Sequence, residues 1–250
     1  MYNRPQKEAI FLYYNQKDYG HVPYPAKGYE AATVKSGGCG PCCAAMVAEG
    51  LSGLSFPPEA ATALAISTGA RVSGGTHMGV LGRALGERFG LAMAESSMLK
   101  DLTACLGTGG WAIANVSGNR SGYTGLFSDG GHYVTVRAIE ADGHLVVWDP
   151  GLYAGKFDRE GRKGRAEVRG NDVRVAAREL ELDCGGRSPR YYLFTGAVKA
   201  DDLPPESAPA SWAKACWERA VATGVLDGTS PQGAVTREQL AVVLGRLGLV

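Results

Sequence analysis

Cys39-Gly40-Pro41-Cys42, at the head of an apolar run, constrains this chain more than any other feature. Two thiols three positions apart suit dithiol–disulfide exchange. The same residues at the start of a helix would instead present one thiol as a nucleophile. The flanking sequence favours the second reading. Dithiol exchange in a βαβ setting needs a buried strand to deliver the first cysteine, whereas Ala31 to Gly38 reads as a polar loop ending in glycine. Beyond Cys39, Pro41 suits a first helical turn, where its missing N–H costs nothing. Ala44, Ala45, Met46, Val47, Ala48 and Leu51 supply helix formers and an apolar face, and Gly50 and Gly53 are expected to mark the exit. Cys39 then lies at a helix N-terminus, where free N–H groups and the dipole favour a thiolate. Cys42 and Cys43 read more simply as small buried side chains of that helix.

A thiolate hydrolyses nothing by itself. It needs an imidazole to carry the proton, an acceptor to orient that imidazole, and donors for the developing oxyanion. The chain has four histidines. His21 and His77 sit in polar or glycine-rich stretches, and His144 follows Asp142-Gly143, the expected tip of a hairpin. His132 differs. It follows Asp129-Gly130-Gly131 and opens Tyr133 to Ile139, an alternating β pattern that can hold the ring rigidly at the mouth of a strand. The return strand, Leu145 to Trp148, ends in Asp149-Pro150. If Asp142-Gly143 closes the hairpin, Asp149 comes back to the end of the sheet where His132 begins and can fix its tautomer.

These segments resemble the papain-like cysteine peptidases related to the bacteriocin leader peptidases that cut after double-glycine leaders, in their stand-alone bacterial and phage branch. The matching pieces are Tyr14 to Asp18, Ser36 to Val47, Gly130 to Val134 and Val147 to Pro150, in the family's order, over residues 10 to 196. The resemblance implies Cys39 as nucleophile, His132 as general base and then acid, and Asp149 as the orienting carboxylate. It implies that the Gln16 amide joins the Cys39 N–H in binding the oxyanion. One departure is visible: positions after Pro41 that are commonly small hydroxyl or alanine residues are here Cys42 and Cys43. Cys42 could therefore close a disulfide onto Cys39 under oxidation and silence it.

At 250 residues, one large domain plus a small module is expected, and 45% hydrophobic with 20% charged residues describes an ordinary globular protein. A net charge of +1 gives no argument for nucleic acid. The basic run Lys156 to Arg174 is interrupted by acids and reads as a solvated loop or hairpin. No stretch has the length of a membrane span, and Met1 to Tyr14 lacks a signal-peptide core. Six cysteines, three of them clustered, do not form a secreted disulfide framework, and no second Cys-x-x-Cys or His pair completes a zinc site. A cytoplasmic protein without metal or cofactor is expected.

The coarse pattern is helices followed by an antiparallel sheet, an α+β chain. Helices are expected over Pro57 to Thr68, Gly79 to Phe89 and Leu99 to Gly107, the last capped by Ser96-Ser97. Strands are expected over Trp111 to Val116, part of Val173 to Asp183, and Arg190 to Phe194. The Gly- and Ser-rich run Ser117 to Gly131 is either a wall or lid of a substrate groove or a plain mobile connection. The expected division is a papain-like peptidase domain over 1–200, a Pro-rich linker over 201–210 and a helical module over 211–250.

That module is similar to one S-layer-homology repeat, through its Trp212-Ala213 start, its Gly224 to Gly228 turn and its Thr236-Arg237-Glu238 helix start. By that likeness Arg237 would hold anionic cell-wall glycan, while a helical hairpin for homo-oligomerisation stays open. Three function classes follow: a cysteine peptidase or amidase, with cell-wall peptides and a phage endolysin layout in view; a dithiol oxidoreductase through Cys39 and Cys42; and a binding protein on the same scaffold.

Overall fold

Cys39 does open a helix, and its surroundings show why. In the computed structural model, which describes residues 13–196, 214–223, 225, 243 and 244, a four-residue helical turn α1 (Val34–Gly37) leads straight into α2 (Cys39–Ser52). The Ser36 hydroxyl bonds both the N–H and the carbonyl of Thr33, at 3.0 and 2.9 Å. The loop expected ahead of Cys39 is therefore a capped helical turn, because its end groups are satisfied locally. From Gly40 to Ala48 every residue of α2 is buried, as a helix apolar on all sides must be.

Gly53 does end α2, in the left-handed conformation with φ 69°. Gly50 does not mark the exit. It lies inside the helix, where an added Cβ would stand 2.3 Å from the Trp111 ring. The indole fills the space the missing side chain leaves. Gly50→Ala is expected to destabilise the protein by about 1–3 kcal/mol in urea unfolding through overpacking, although alanine favours an unencumbered helix by ~1 kcal/mol. Unchanged or raised stability would mean that the indole simply moves aside.

The remaining elements are α3 (Pro58–Ser67), β1 (Arg71–Val72), β2 (Gly75–Thr76), α4 (Met78–Phe89), β3 (Ala92–Ser96), α5 (Leu99–Gly107), β4 (Trp111–Val116), β5 (His132–Ile139), β6 (His144–Trp148), β7 (Ala166–Arg169), β8 (Asp172–Ala176), α6 (Ala177–Asp183), β9 (Tyr191–Thr195) and α7 (Lys214–Ala222). Seven strands form one antiparallel sheet in the order β3-β9-β4-β5-β6-β8-β7. Its centre alternates with period two. Trp111 and Ile113 of β4 face the core built with α2, α3 and α4, while Ala112, Ala114 and Val116 face a second core with α5 and α6. This is the α+β architecture the sequence pattern predicts.

Local pattern did not announce every element. β3 has weak strand formers and an exposed edge; it exists because Ala92 to Ser96 pair with β9. Val173 to Asp183 divides into β8 and α6, with the break at Ala176. The α5 cap is Met98, with the Ser96 hydroxyl accepting the Met98 N–H and donating to Asp101.

Two readings of the polar segments change. Within Ser117 to Gly131, Leu126 and Phe127 are fully buried and donate their N–H groups to the buried Asp183 carboxylate, at 2.6 and 3.1 Å. A segment pinned in this way cannot swing as a free lid. The Lys156 to Arg174 run does end in a hairpin, β7–β8, but Lys156 and Arg162 are buried. Arg162 donates to the Gly125 carbonyl and to Asp129, three residues before His132.

The chain divides into two units, Met1–Val198 and Lys199–Val250. In the second, α7 falls between the expected Trp212-Ala213 start and the expected Gly224 to Gly228 turn. The linker over 201–210, Trp212, Arg237 and, apart from residues 243 and 244, the expected helix after Thr236 lie outside the described residues. Among the described residues no helix is long and apolar enough to cross a membrane.

Candidate active site

Three segments far apart in sequence bring Cys39, His132 and Asp149 together. α2 supplies Cys39 at its first position, β5 supplies His132 at its first position, and the residue after β6 is Asp149. The β5–β6 register pairs Thr135 with Trp148, so Asp149 continues opposite Val134 and lies diagonal to His132. A turn closes the remaining gap. The Gly151 N–H donates to Asp149 Oδ1 at 2.8 Å, and the same oxygen meets His132 Nε2 at 2.8 Å. The Asp149 side chain is wholly buried and that of His132 is 10% exposed.

With Nε2 engaged by Asp149, the other ring nitrogen is left for the sulfur. The Cys39 sulfur lies within electrostatic reach of His132 and of the Tyr133 and Gly40 N–H groups. Burial pushes the Cys39 thiol up, but the His132 bond and charge and those two N–H groups outweigh it, and the net shift is downward. For His132, burial opposes the charged ring, yet the bonds to Asp149 and Cys39 raise its pKa to about 9. Asp149 is held below the usual carboxylate range: burial opposes its charge, and His132 and Lys156 overcome that opposition.

The thiolate–imidazolium pair therefore exists above the lowered Cys39 pKa and below about pH 9. The rate of Cys39 alkylation is expected to rise on an acid limb below the ordinary thiol range and to change again near pH 9 as the ring loses its proton. For stability the two shifts have opposite signs: the lowered Cys39 pKa contributes stability that is full above the ordinary thiol range and lost as pH falls through the lowered value. The raised His132 pKa contributes stability that is complete below 6.5 and lost as pH rises through about 9. Rates and urea midpoints measured across this range check both.

Neighbouring residues seat Cys39. An added Cβ at Gly40 would lie 2.4 Å from Thr76 Oγ1, so the bare backbone lets β2 sit against the first turn of α2. Thr76 is held there by Tyr24 through its hydroxyl (2.7 Å) and by Tyr133, which donates to its carbonyl (3.2 Å).

Gln16 stands apart from the other three. It opens a short 3-10 helix over Gln16–Tyr19, and its N–H bonds the Pro150 carbonyl at 2.8 Å. Its Nε2 donates to the Lys35 carbonyl at 3.1 Å, and Oε1 is buried without a partner among the described residues. Gln16 is thus tied to the segment that carries Asp149, but none of its hydrogen bonds reaches Cys39 or His132.

Lys156 escaped the reading of the sequence. Its ammonium, 5% exposed at the side chain, donates to Asp149 Oδ2 and to the Gly151 carbonyl. Its place in a run of alternating charges gave it the appearance of a surface residue. A cavity of about 500 Å³ opens behind it, bounded also by Tyr13, Asn15 and Tyr153; neither Cys39 nor His132 lines it.

All six cysteines are free thiols, Cys42 and Cys43 among the buried ones. Burial pushes the Cys42 thiol well up, and the charge of Cys39 adds to this. Among the described residues no group of three or more His, Cys, Asp or Glu side chains is placed to share a metal ion.

No protein-family model and no curated protein matches the chain. Among solved structures it is similar to a crystal structure from Bacillus anthracis, provisionally described as a C39-like peptidase. The two share 12% identity over 75% of this chain and 96% of that one, with a TM-score of 0.49.

Proposed function

We propose that this protein is a cysteine peptidase or amidase in which Cys39 attacks a carbonyl, His132 takes and then returns the proton, and Asp149 holds the imidazole. The single observation that carries this reading is the His132 ring held by Asp149 at 2.8 Å and set within electrostatic reach of Cys39. The thiolate adds to the carbonyl carbon, the imidazolium protonates the leaving amine, and water, deprotonated by the now neutral imidazole, releases the acyl group from sulfur. Cys39, at the start of α2, offers its own N–H to the oxyanion. Gln16 is the proposed second donor, its side chain turning from the Lys35 carbonyl when substrate arrives.

Dithiol exchange fits less well. A helical turn and not a strand delivers Cys39, and a redox pair has no use for a buried carboxylate orienting a histidine against the first thiol. For the substrate we favour cell-wall peptides. The C-terminal segment would act as wall tether through Arg237, and the enzyme would be of the endolysin type; the support for this is the residue pattern of 211–250. The test is incubation of the purified full chain with Gram-positive sacculi and with synthetic peptides. New amino termini released by the wild type and blocked after iodoacetamide labels Cys39 are expected. Release that survives complete Cys39 labelling would overturn the reading.

A further inference from the structure

We infer that Lys156 is a positioning residue of the site: its ammonium is the fixed counter-ion that keeps Asp149 ionised and turned towards His132. This rests on the Cys39–His132–Asp149 reading and assigns a role to a residue outside it. Lysine is among the residues least often buried, and Lys156 is 4% exposed. Burial of such a charge is tolerated only beside a partner, and buried ion pairs are in general no more stabilising than well-packed apolar residues of the same size. Stability alone therefore does not explain a lysine here.

Its contacts do. The ammonium bonds Oδ2 of Asp149, the oxygen that His132 does not use, and the carbonyl of Gly151, whose N–H holds Oδ1. It thus clasps both ends of the turn that presents Oδ1 to the ring. Gly151 itself lies against the imidazole: an added Cβ would stand 3.3 Å from His132 Cε1 and Nε2. With Lys156 the site holds two positive and two negative groups in its working state; without it, a buried negative charge is uncompensated.

Other charged and titratable groups face this pair. Asp149 is approached by the Cys43 thiol and by Tyr13, whose hydroxyl donates to its backbone carbonyl at 2.6 Å. Lys156 faces the Tyr153 ring at 5.8 Å, over which Lys17 also lies at 4.3 Å. Asp158 lines the adjoining cavity, and Arg159 lies within electrostatic reach of Tyr153. None of these cations touches the Asp149 carboxylate.

Removing a positive charge raises the pKa of every neighbour. Site-resolved alkylation of Cys39 by iodoacetamide against pH, read by mass spectrometry, needs no substrate. It shows one inflection for Cys39 ionisation beside the protonated ring and a second for loss of the ring proton. In Lys156→Met both inflections are expected to move to higher pH, by roughly 1–2 units for a unit charge withdrawn from a partly buried site. Lys156→Arg is expected to keep them near the wild-type values. Lys156→Gln, which retains a donor but no charge, is expected to shift them as methionine does and stands in if the methionine variant does not fold. Inflections at wild-type pH in the neutral variants, with only the melting temperature lowered, would reduce Lys156 to a structural residue and overturn the inference. Failure of the underlying reading looks different: the wild type itself would then show a single ordinary thiol titration, unchanged by His132→Ala.

Discussion

Replacing Cys39 by alanine is expected to lower hydrolysis by roughly 10⁴-fold or more, because no other group can form the acyl intermediate. Cys42→Ser is expected to retain most of the activity. The asymmetry follows from position. Cys39 is partly exposed at the helix start and within electrostatic reach of His132, whereas Cys42 is buried one turn on, with its thiol pushed well up. Serine at 42 puts a hydroxyl into an apolar environment, so a stability loss of about 1–3 kcal/mol is expected, and rates must be compared where both proteins are folded. Initial rates on a substrate cleaved by the wild type decide the matter. Equal loss in both variants, with disulfide-exchange activity in the wild type, would point to the dithiol chemistry instead.

Asp149→Asn is expected to lower turnover by orders of magnitude, since an amide lets the imidazole take the wrong tautomer. Unlike a substitution at an exposed carboxylate, it should also weaken the fold. The buried Lys156 ammonium would lose its counter-charge, a change worth about 3–5 kcal/mol where one partner of a buried pair is removed. The double substitution Asp149→Asn with Lys156→Met removes both charges and is expected to recover most of the stability and none of the turnover. Urea unfolding and kcat, measured on the two single variants and the double, separate the two effects. Turnover that returned together with stability would show that Asp149 serves the fold and not the histidine.

Short-range physics is written into neighbouring residues and can be read there. A proline and a run of small apolar residues after Cys39 specify a buried helix with the thiol at its start. The alternation from Tyr133 to Ile139 and the Asp142-Gly143 turn specify the hairpin that returns Asp149 to His132. The α+β order and the three candidate catalytic residues were legible for that reason.

Which polar residues lie inside is settled by packing between segments. Lys156, Arg162 and Asp183 sit among charges that look solvated, yet each is buried on a partner from another segment: Asp149, the Gly125 carbonyl, and the Leu126 and Phe127 N–H groups. Gly50, which reads as a helix end, is instead the seat of Trp111. A buried charge is stable or ruinous according to what stands opposite it, and that partner is chosen by packing, over separations that no local pattern encodes.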